Sequence, residues 1–528
     1  MPYPLLYELN TRCWLHDLSE QRGAPVTLAN VPETEFARWR RLGFTHIWLM
    51  GIWKLGSRSR AFSRQLPELR QIYAKLLPNF SEDDLDGSAY AIAGYEISEA
   101  LGGETGLTEF RRQLIAHGLK LILDFIPNHT GLDHPWLGAK PDLFVQSPSE
   151  APGTFREITS LGPRWIAHGK DPYFPAWADT AQLDYRNPAT RAAMIQELKS
   201  VAGRCDGVRC DMAMLVLNDV FAQTWAQSAA QEPRSRRSET EFWAEAISAI
   251  RAARSDFLFL AEAYWDLETR LLELGFDFAY DKKLTDYLAT RRSPEAQRHL
   301  LKFPFDQVAA DVRGQTTCQT PESASSPRLL QPAKPLDAFA HFLENHDELR
   351  IASLLPLEEH RAAALLILGL PGMRLLHEGQ LTGATHRTSV HLRRRPIEVP
   401  QPDISAFYEF FLTILPKTSV GQGRGELLKP TPAWDGNPTA DNFIVIRWET
   451  PPLEVDLVAV NLAPHPSQCY VKLNVEELAK HDWKMINLLG EEQYQRQGTG
   501  LREKGLYLDL PAHGAQLFHF NPASKLQL

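Results

Sequence analysis

Short apolar runs rich in branched and aromatic residues alternate with longer amphipathic stretches along most of the chain. Runs at residues 5–9, 46–50, 119–126, 205–211, 257–261, 276–280, 339–343 and 373–377 read as strands. Between several of them apolar positions recur at helical spacing, and residues 33–42, 108–117, 188–204 and 238–254 read as helices. Eight strand–helix units in succession predict an α/β fold, a closed parallel barrel rather than an open doubly wound sheet.

Three stretches interrupt the alternation. Residues 54–88 follow the second strand and have a helical middle, which suits a lobe over the barrel mouth. Residues 131–179 follow the third strand, are rich in Pro, Gly and Trp, and show little periodicity. Residues 316–335 are dense in Pro, Ser and Thr and read as a surface excursion. From about residue 416 the pattern changes to short runs at 442–449, 454–461, 468–473 and 505–510, the mark of an antiparallel β-sandwich. The division this predicts is a barrel over 1–130 and 180–415, an insert over 131–179 and a sandwich over 416–528.

Composition narrows the function classes. A length of 528 residues exceeds one ordinary domain, and 44% hydrophobic residues can bury a sizeable core. A formal net charge of −9 argues against nucleic acid or an anionic membrane as the main partner, since both select clustered positive charge. The densest basic run, residues 391–396, is short and reads as a solvated helix edge. Cys13, Cys205, Cys210, Cys318 and Cys469 are scattered and form no Cys-x-x-Cys pair, so neither a disulfide framework nor a zinc site is expected and a reducing compartment fits. No secretory pattern opens the chain and no apolar stretch approaches the roughly 20 residues that span a bilayer. A soluble, cytoplasmic protein is the expectation.

The chemistry lies in four stretches that occur in order: Leu123-Asp-Phe-Ile-Pro-Asn-His-Thr130, Gly207-Val-Arg-Cys-Asp-Met-Ala213, Leu260-Ala-Glu-Ala-Tyr-Trp265 and Phe342-Leu-Glu-Asn-His-Asp347. Asp124, Asp211, Glu262 and Asp347 fall at or just past the carboxyl ends of expected strands, the catalytic face of a parallel barrel. Displacement at the anomeric carbon of a sugar with retention needs one carboxylate to attack and one carboxylic acid to protonate the departing oxygen. Asp211 suits the first role, because Arg209 two positions earlier shares its strand face and favours its ionised form. Glu262 suits the second, since its apolar neighbours raise a carboxyl pKa towards neutrality. Asp347, with His346, would hold hydroxyls and stabilise positive charge in the transition state.

Together these motifs resemble the conserved regions of the α-amylase family, glycoside hydrolase family 13. The resemblance implies a TIM (β/α)8 barrel with a small domain B after strand three and a C-terminal antiparallel β-sandwich. It implies Asp211 as nucleophile, Glu262 as acid/base and Asp347 as transition-state stabiliser, with Arg209, His129 and His346 as ligands of the sugar at the point of cleavage. Tyr90, in Ser88-Ala-Tyr-Ala-Ile-Ala-Gly-Tyr95, resembles the aromatic that stacks on that sugar. Gln182-Leu-Asp-Tyr185 and Gly369-Leu-Pro-Gly-Met-Arg374 resemble a further conserved region and the last strand. Two departures stand out. Met214 and Leu215 replace the Lys and His usual after the nucleophile, and Met212 replaces Ala. Both weaken a dedicated starch endo-amylase. No cofactor is implied as required. Calcium is possible through Asn128, which matches the family's ligand asparagine.

Plainer readings stand beside these. Asp124 reads as an orienting group at the strand end, although it belongs to the substrate-binding set that the resemblance outlines. Arg350 fits a surface salt bridge as well as a sugar contact, and Trp265 fits packing as well as stacking on an acceptor sugar. Trp136, Trp165, Tyr173, Phe174 and Trp177 offer flat apolar faces, some of which must form the insert's own core. His129, Asp133 and His134 have no helix-based metal spacing. The function expected is a retaining hydrolase on α-glucosidic bonds of α-1,4-glucans or malto-oligosaccharides. Transglycosylation, or isomerase or phosphorylase action on disaccharides, would use the same residues. A non-catalytic carbohydrate-binding relative is the remaining class. The partner expected is the α-glucan or oligosaccharide itself, and oligomeric state is left open.

Overall fold

A computed structural model describes residues 2–226, 240–303, 336–451 and 454–523. The excursion expected at 316–335, Cys318 and the start of the 238–254 helix lie outside the described residues. The barrel strands are β1 (Leu5–Asn10), β2 (His46–Met50), β3 (Lys120–Phe125), β4 (Gly207–Cys210), β5 (Leu258–Ala261), β6 (Phe278–Tyr280), β7 (Phe339–His341) and β8 (Met373–His377). They pair in chain order, all parallel, and β8 closes on β1. The fold is a TIM (β/α)8 barrel with a small insert after β3 and a C-terminal antiparallel β-sandwich.

Alternation along each strand builds two cores at once. Leu6, Trp48, Ile122, Leu260, Tyr280, Ala340 and Leu375 fill the barrel interior. Ile47, Leu49, Leu121, Leu123, Val208 and Phe259 point outward into the main core beneath the helices. Helix Pro188–Ala202 starts where sequence rules place it, with Pro188 in the first turn and the Asn187 side chain accepting from Ala189 N–H. Helix Gly103–Ala116 begins five residues before the expected start at 108, because Gly102 at φ 109° turns the chain straight into it.

The insert is more regular than its composition suggests. Strands Gln146–Ser147, Thr154–Thr159 and Gly162–Ala167 form a small antiparallel sheet, with helix Pro135–Ala139 beside it. Its base is a two-strand ladder, His129–Gly131 against Thr180–Gln182. The lobe over residues 54–88 contains helices Ser57–Gln65 and Pro67–Leu76 and has its own cluster of Tyr73, Leu77, Leu85 and Leu392.

The basic run at 391–396 corrects its expectation. It is a loop rather than a helix edge, and two of its arginines are paired: Arg394 with Asp84, and Arg395 with Asp17 at 2.6 Å and Glu378 at 3.0 Å. No helix among the described residues is long and apolar enough to cross a membrane.

The C-terminal region holds a six-stranded antiparallel sheet and a three-stranded one. Four strands match the expected runs, and the edge strand Arg424–Leu428, the hairpin Asp482–Asn487 with Gln493–Gln497, and Ala515–Ala523 were not foreseen.

Candidate active site

Arg209 is the centre of the site. On β4 it lies opposite Asp124 on β3 and Leu260 on β5, pointing into the barrel with no exposure to solvent. A buried guanidinium is costly unless its donors are taken up. Here it lies 2.7 Å from Asp211 Oδ1, 2.8 Å from Glu262 Oε2 and 3.4 Å from Asp124 Oδ1, and Nε donates to the Tyr280 hydroxyl at 3.3 Å. The rings of Trp48, Tyr90 and Tyr280 surround it at 5.2–5.9 Å. One cation therefore gathers carboxylates from three neighbouring strand ends.

Asp211 and Glu262 follow the last residues of β4 and β5. Glu262 is almost completely buried, and both its oxygens are held. Met212 N–H donates to Oε2 at 2.6 Å and the Tyr264 hydroxyl donates to Oε1 at 2.8 Å. Met212 reaches it from a left-handed backbone at φ 40°, uncommon for a residue with a side chain. Burial pushes the Glu262 carboxyl up to about 7, with Arg209 opposing and Asp211 and Asp347 adding to the rise. Asp211 has the Arg209 contact expected of it, yet burial outweighs the guanidinium and moves its carboxyl above the usual range.

Asp347 differs. Its side chain is 48% exposed in the barrel mouth and lies 3.0 Å from His346 Nε2. Burial beside the site works against its charge, but His346, with Arg209 and Arg387, holds the carboxyl well below the ordinary range. The Tyr90 hydroxyl also meets His346 Nε2 at 2.8 Å, and the two rings stack at 5.3 Å. Across the imidazole, Nδ1 lies 2.5 Å from Oε1 of Glu8, a fully buried residue of β1. Sequence reasoning missed Glu8. Its signal was a lone carboxylate inside the apolar run Leu5-Leu6-Tyr7-Glu8-Leu9, on the strand face shared with the inward Leu6.

The remaining expected residues divide. Asp124 is buried and bonds to Trp48 Nε1 at 3.2 Å as well as to Arg209, the orienting arrangement; burial raises its carboxyl to about 7. His129 is buried at the base of the insert, against the Trp177 ring at 5.2 Å, and burial lowers its imidazole to about 4. Trp265 stands on the loop after β5 at φ 64°, edge-on to Tyr173 of the insert at 4.8 Å. Arg350 is not a surface salt bridge: it is 2% exposed, and Nη1 is taken up by Glu344, His377 and the Glu378 carbonyl at 2.7–2.8 Å. Met214 and Leu215 are buried in the main core.

Asn128, the residue through which calcium was expected, is engaged within the protein. The Asn128 side-chain oxygen accepts from the Gln182 amide at 3.0 Å, and the same amide reaches the Asn128 carbonyl at 2.8 Å. Among the described residues no group of three His, Cys, Asp or Glu side chains could cage an ion. Asp133 instead accepts from Arg58 N–H and Ser59 N–H at the start of helix Ser57–Gln65, and His134 accepts from Trp136 N–H at 3.2 Å.

The chain has counterparts among known proteins. The family model described as "Alpha amylase, catalytic domain" matches residues 39–401. Among curated proteins the chain is 24% identical over 297 residues to α-amylase MalA of Haloarcula japonica, covering 56% of this chain and 36% of that one. It is 22% identical over 330 residues to α-amylase 3 of Dictyoglomus thermophilum, covering 58% and 55%. The matched stretches thus span about a third to about half of those relatives. Among solved structures, the α-amylase of Geobacillus thermoleovorans complexed with acarbose superposes with a TM-score of 0.62 at 16% identity, covering 99% of both chains. The maltogenic α-amylase AmyB of Thermotoga neapolitana gives 0.64 at 16% identity, covering 98% and 99%. With the catalytic-domain match spanning more than half its length and the strand-end carboxylates gathered on one arginine, the chain belongs to the α-amylase family.

Proposed function

We propose that the protein is a retaining glycoside hydrolase acting on α-glucosidic bonds of α-1,4-glucans or malto-oligosaccharides. The observation that carries this is the pair of carboxylates on one guanidinium, Asp211 at 2.7 Å and Glu262 at 2.8 Å. Sharing a single fork keeps them close, as a nucleophile and its acid partner must be in a retaining enzyme. The Asp211 carboxylate attacks the anomeric carbon while the glycosidic C–O bond breaks. Glu262, protonated near neutral pH, gives its proton to the departing oxygen. Glu262 then takes a proton from water, whose oxygen attacks the same carbon and releases Asp211. Asp347, ionised and open to the mouth, stabilises the positive charge that develops on the sugar in the transition state of each step. On this reading residues 1–130 and 180–415 are the catalytic unit, 131–179 shape the cleft and 416–528 support it.

A time course with maltoheptaose as sole substrate, resolved by chain length, tests the reading. Shorter sugars released as the α-anomer are expected, and their size order separates endo from exo attack. Products longer than seven units would replace hydrolysis with transfer, and β-anomers would overturn retention. Asp211→Asn should lower turnover by about a thousandfold or more, the scale on which loss of a catalytic group is felt, with the fold left intact. Wild-type rates in that variant would sink the assignment.

A further inference from the structure

We propose that Glu8 is a positioning residue of the catalytic centre: its carboxylate grips His346 at Nδ1, so that Nε2 faces Asp347 and the sugar hydroxyls at the point of cleavage. The inference rests on the reading above for its catalytic meaning, though not for its physical content.

A carboxylate has no ordinary place inside a barrel. Glu8 lies in register with Trp48 on β2 and His377 on β8, beside Leu6 and Trp48 of the interior cluster, with no solvent exposure. Burying a charge in such surroundings is costly unless another charge is gained. The charge gained is on His346, whose Nδ1 lies 2.5 Å from Glu8 Oε1, a close ion pair. With Glu8 on one side and Asp347 on the other, both ring nitrogens face carboxylates, the setting of an imidazolium that donates twice.

The other groups around the pair agree. Trp48 from β2 meets the imidazole edge-on at 5.6 Å and Tyr90 from the loop after β2 stacks on it. Arg209 from β4 and His377 from β8 act on Glu8, and Asp124 from β3 and Asp211 after β4 act together with His346. Burial pushes the Glu8 carboxyl up, but its neighbours, His346 and Arg209 among them, outweigh it and hold it below the usual range. Burial lowers His346, but Asp347 and Glu8 outweigh that and raise it well above the ordinary imidazole. Nothing else described in β1 reaches Nδ1. The ring's orientation and its proton are both set from the first strand, 338 positions away in sequence.

Glu8→Gln keeps the shape and an acceptor oxygen but removes the charge. Turnover on maltoheptaose should fall about 10- to 100-fold, the effect typical of losing a partner that orients a contact residue, with KM little changed. A lowered melting temperature with unchanged turnover would overturn the proposal, because a purely structural role gives that result. A second readout does not need activity: in 15N-histidine-labelled protein, with His346 assigned through His346→Gln, the titration midpoint of His346 should drop by more than one unit in Glu8→Gln. An unchanged midpoint would overturn the proposal whatever the substrate proves to be. Inactivity of the unaltered enzyme on maltoheptaose would count against the proposed function alone. If Glu8→Gln does not fold, Glu8→Asp takes its place; it retains the charge one methylene shorter and should keep His346 protonated at pH 7, while a neutral His346 in it would overturn the proposal.

Discussion

At the scale of residues, the site works by driving like groups apart. Asp211, Glu262 and Asp347 are all carboxylates near one arginine, yet two are raised by burial and the third is held low by His346. Divergent environments of this kind are how one cleft holds both an acid and a base at a single pH. For Glu262 the sign of the pH dependence follows directly. The donor form exists below its folded value of about 7, so turnover should decline as pH rises through that value. The same shift enters stability. A group raised on folding contributes stability that is full below the unfolded value of 4.5 and lost as pH rises through about 7. Glu262→Gln has no such dependence. Its melting temperature relative to the unaltered protein should therefore be higher at pH 8 than at pH 4.5, while its turnover falls by about a thousandfold. A difference that stays constant across that range would mean that Glu262 does not carry a raised pKa.

At the scale of elements, the parts readable from sequence were those with a strong local period. All eight barrel strands lie where apolar runs predicted them, because a strand covered on both faces writes its burial into consecutive residues. The insert's sheet was not legible. Thr154–Thr159 is largely polar and partly exposed, and Gly162–Ala167 opens on Gly-Pro with Arg164 next, so no clean strand period marks either. Glu8 was missed for the opposite reason: its role depends on a contact with a residue of the seventh strand–loop unit, which no local pattern encodes. Asp124, Asp211 and Glu262 stand out because each lies at or next to the end of a strand beside distinctive neighbours, whereas Arg350, just as close to a motif, is buried rather than at the surface. The ladder at the base of the insert carries a prediction. A methyl added at Gly131 would lie 2.3 Å from the Ala91 carbonyl oxygen, so the ladder packs backbone on backbone against the segment that bears Tyr90. Gly131→Ala must shift one of them, at a cost of about 1–3 kcal/mol, as for other overpacked sites. Displacement of Tyr90 should also lower kcat/KM for malto-oligosaccharides. A variant with unaltered stability and kinetics would show that the segment yields freely.

At the scale of the whole molecule, the C-terminal sheet is a wall of the barrel domain as much as a layer of its own sandwich. Along Phe443–Thr450, Ile444, Ile446 and Trp448 belong to the main core, while Phe443 and Val445 belong to the sandwich core. Val458 and Val460 against Leu457 and Ala459 repeat that division on the neighbouring strand. A period of two with both faces apolar is what a sheet covered on both sides requires. The contact with the barrel is close. Trp448 Nε1 donates to the Gly369 carbonyl at 2.8 Å, and a methyl added at Gly369 would come within 2.9 Å of Val458. Gln297, on helix Ser293–Leu300, donates to the Phe443 carbonyl at 2.7 Å. Removing residues 416–528 would expose helix Leu357–Gly369, which is buried along most of its length. A chain ending at residue 415 should therefore aggregate rather than fold as an independent barrel, since so large an apolar face does not stay in water. The milder test is Trp448→Ala, expected to cost about 3–5 kcal/mol by loss of a buried aromatic. Its unfolding should remain one cooperative transition at lower temperature, with activity lost in the same step. Two separated transitions, with activity persisting after the first, would mean that the sandwich is an accessory to the barrel instead of one of its walls.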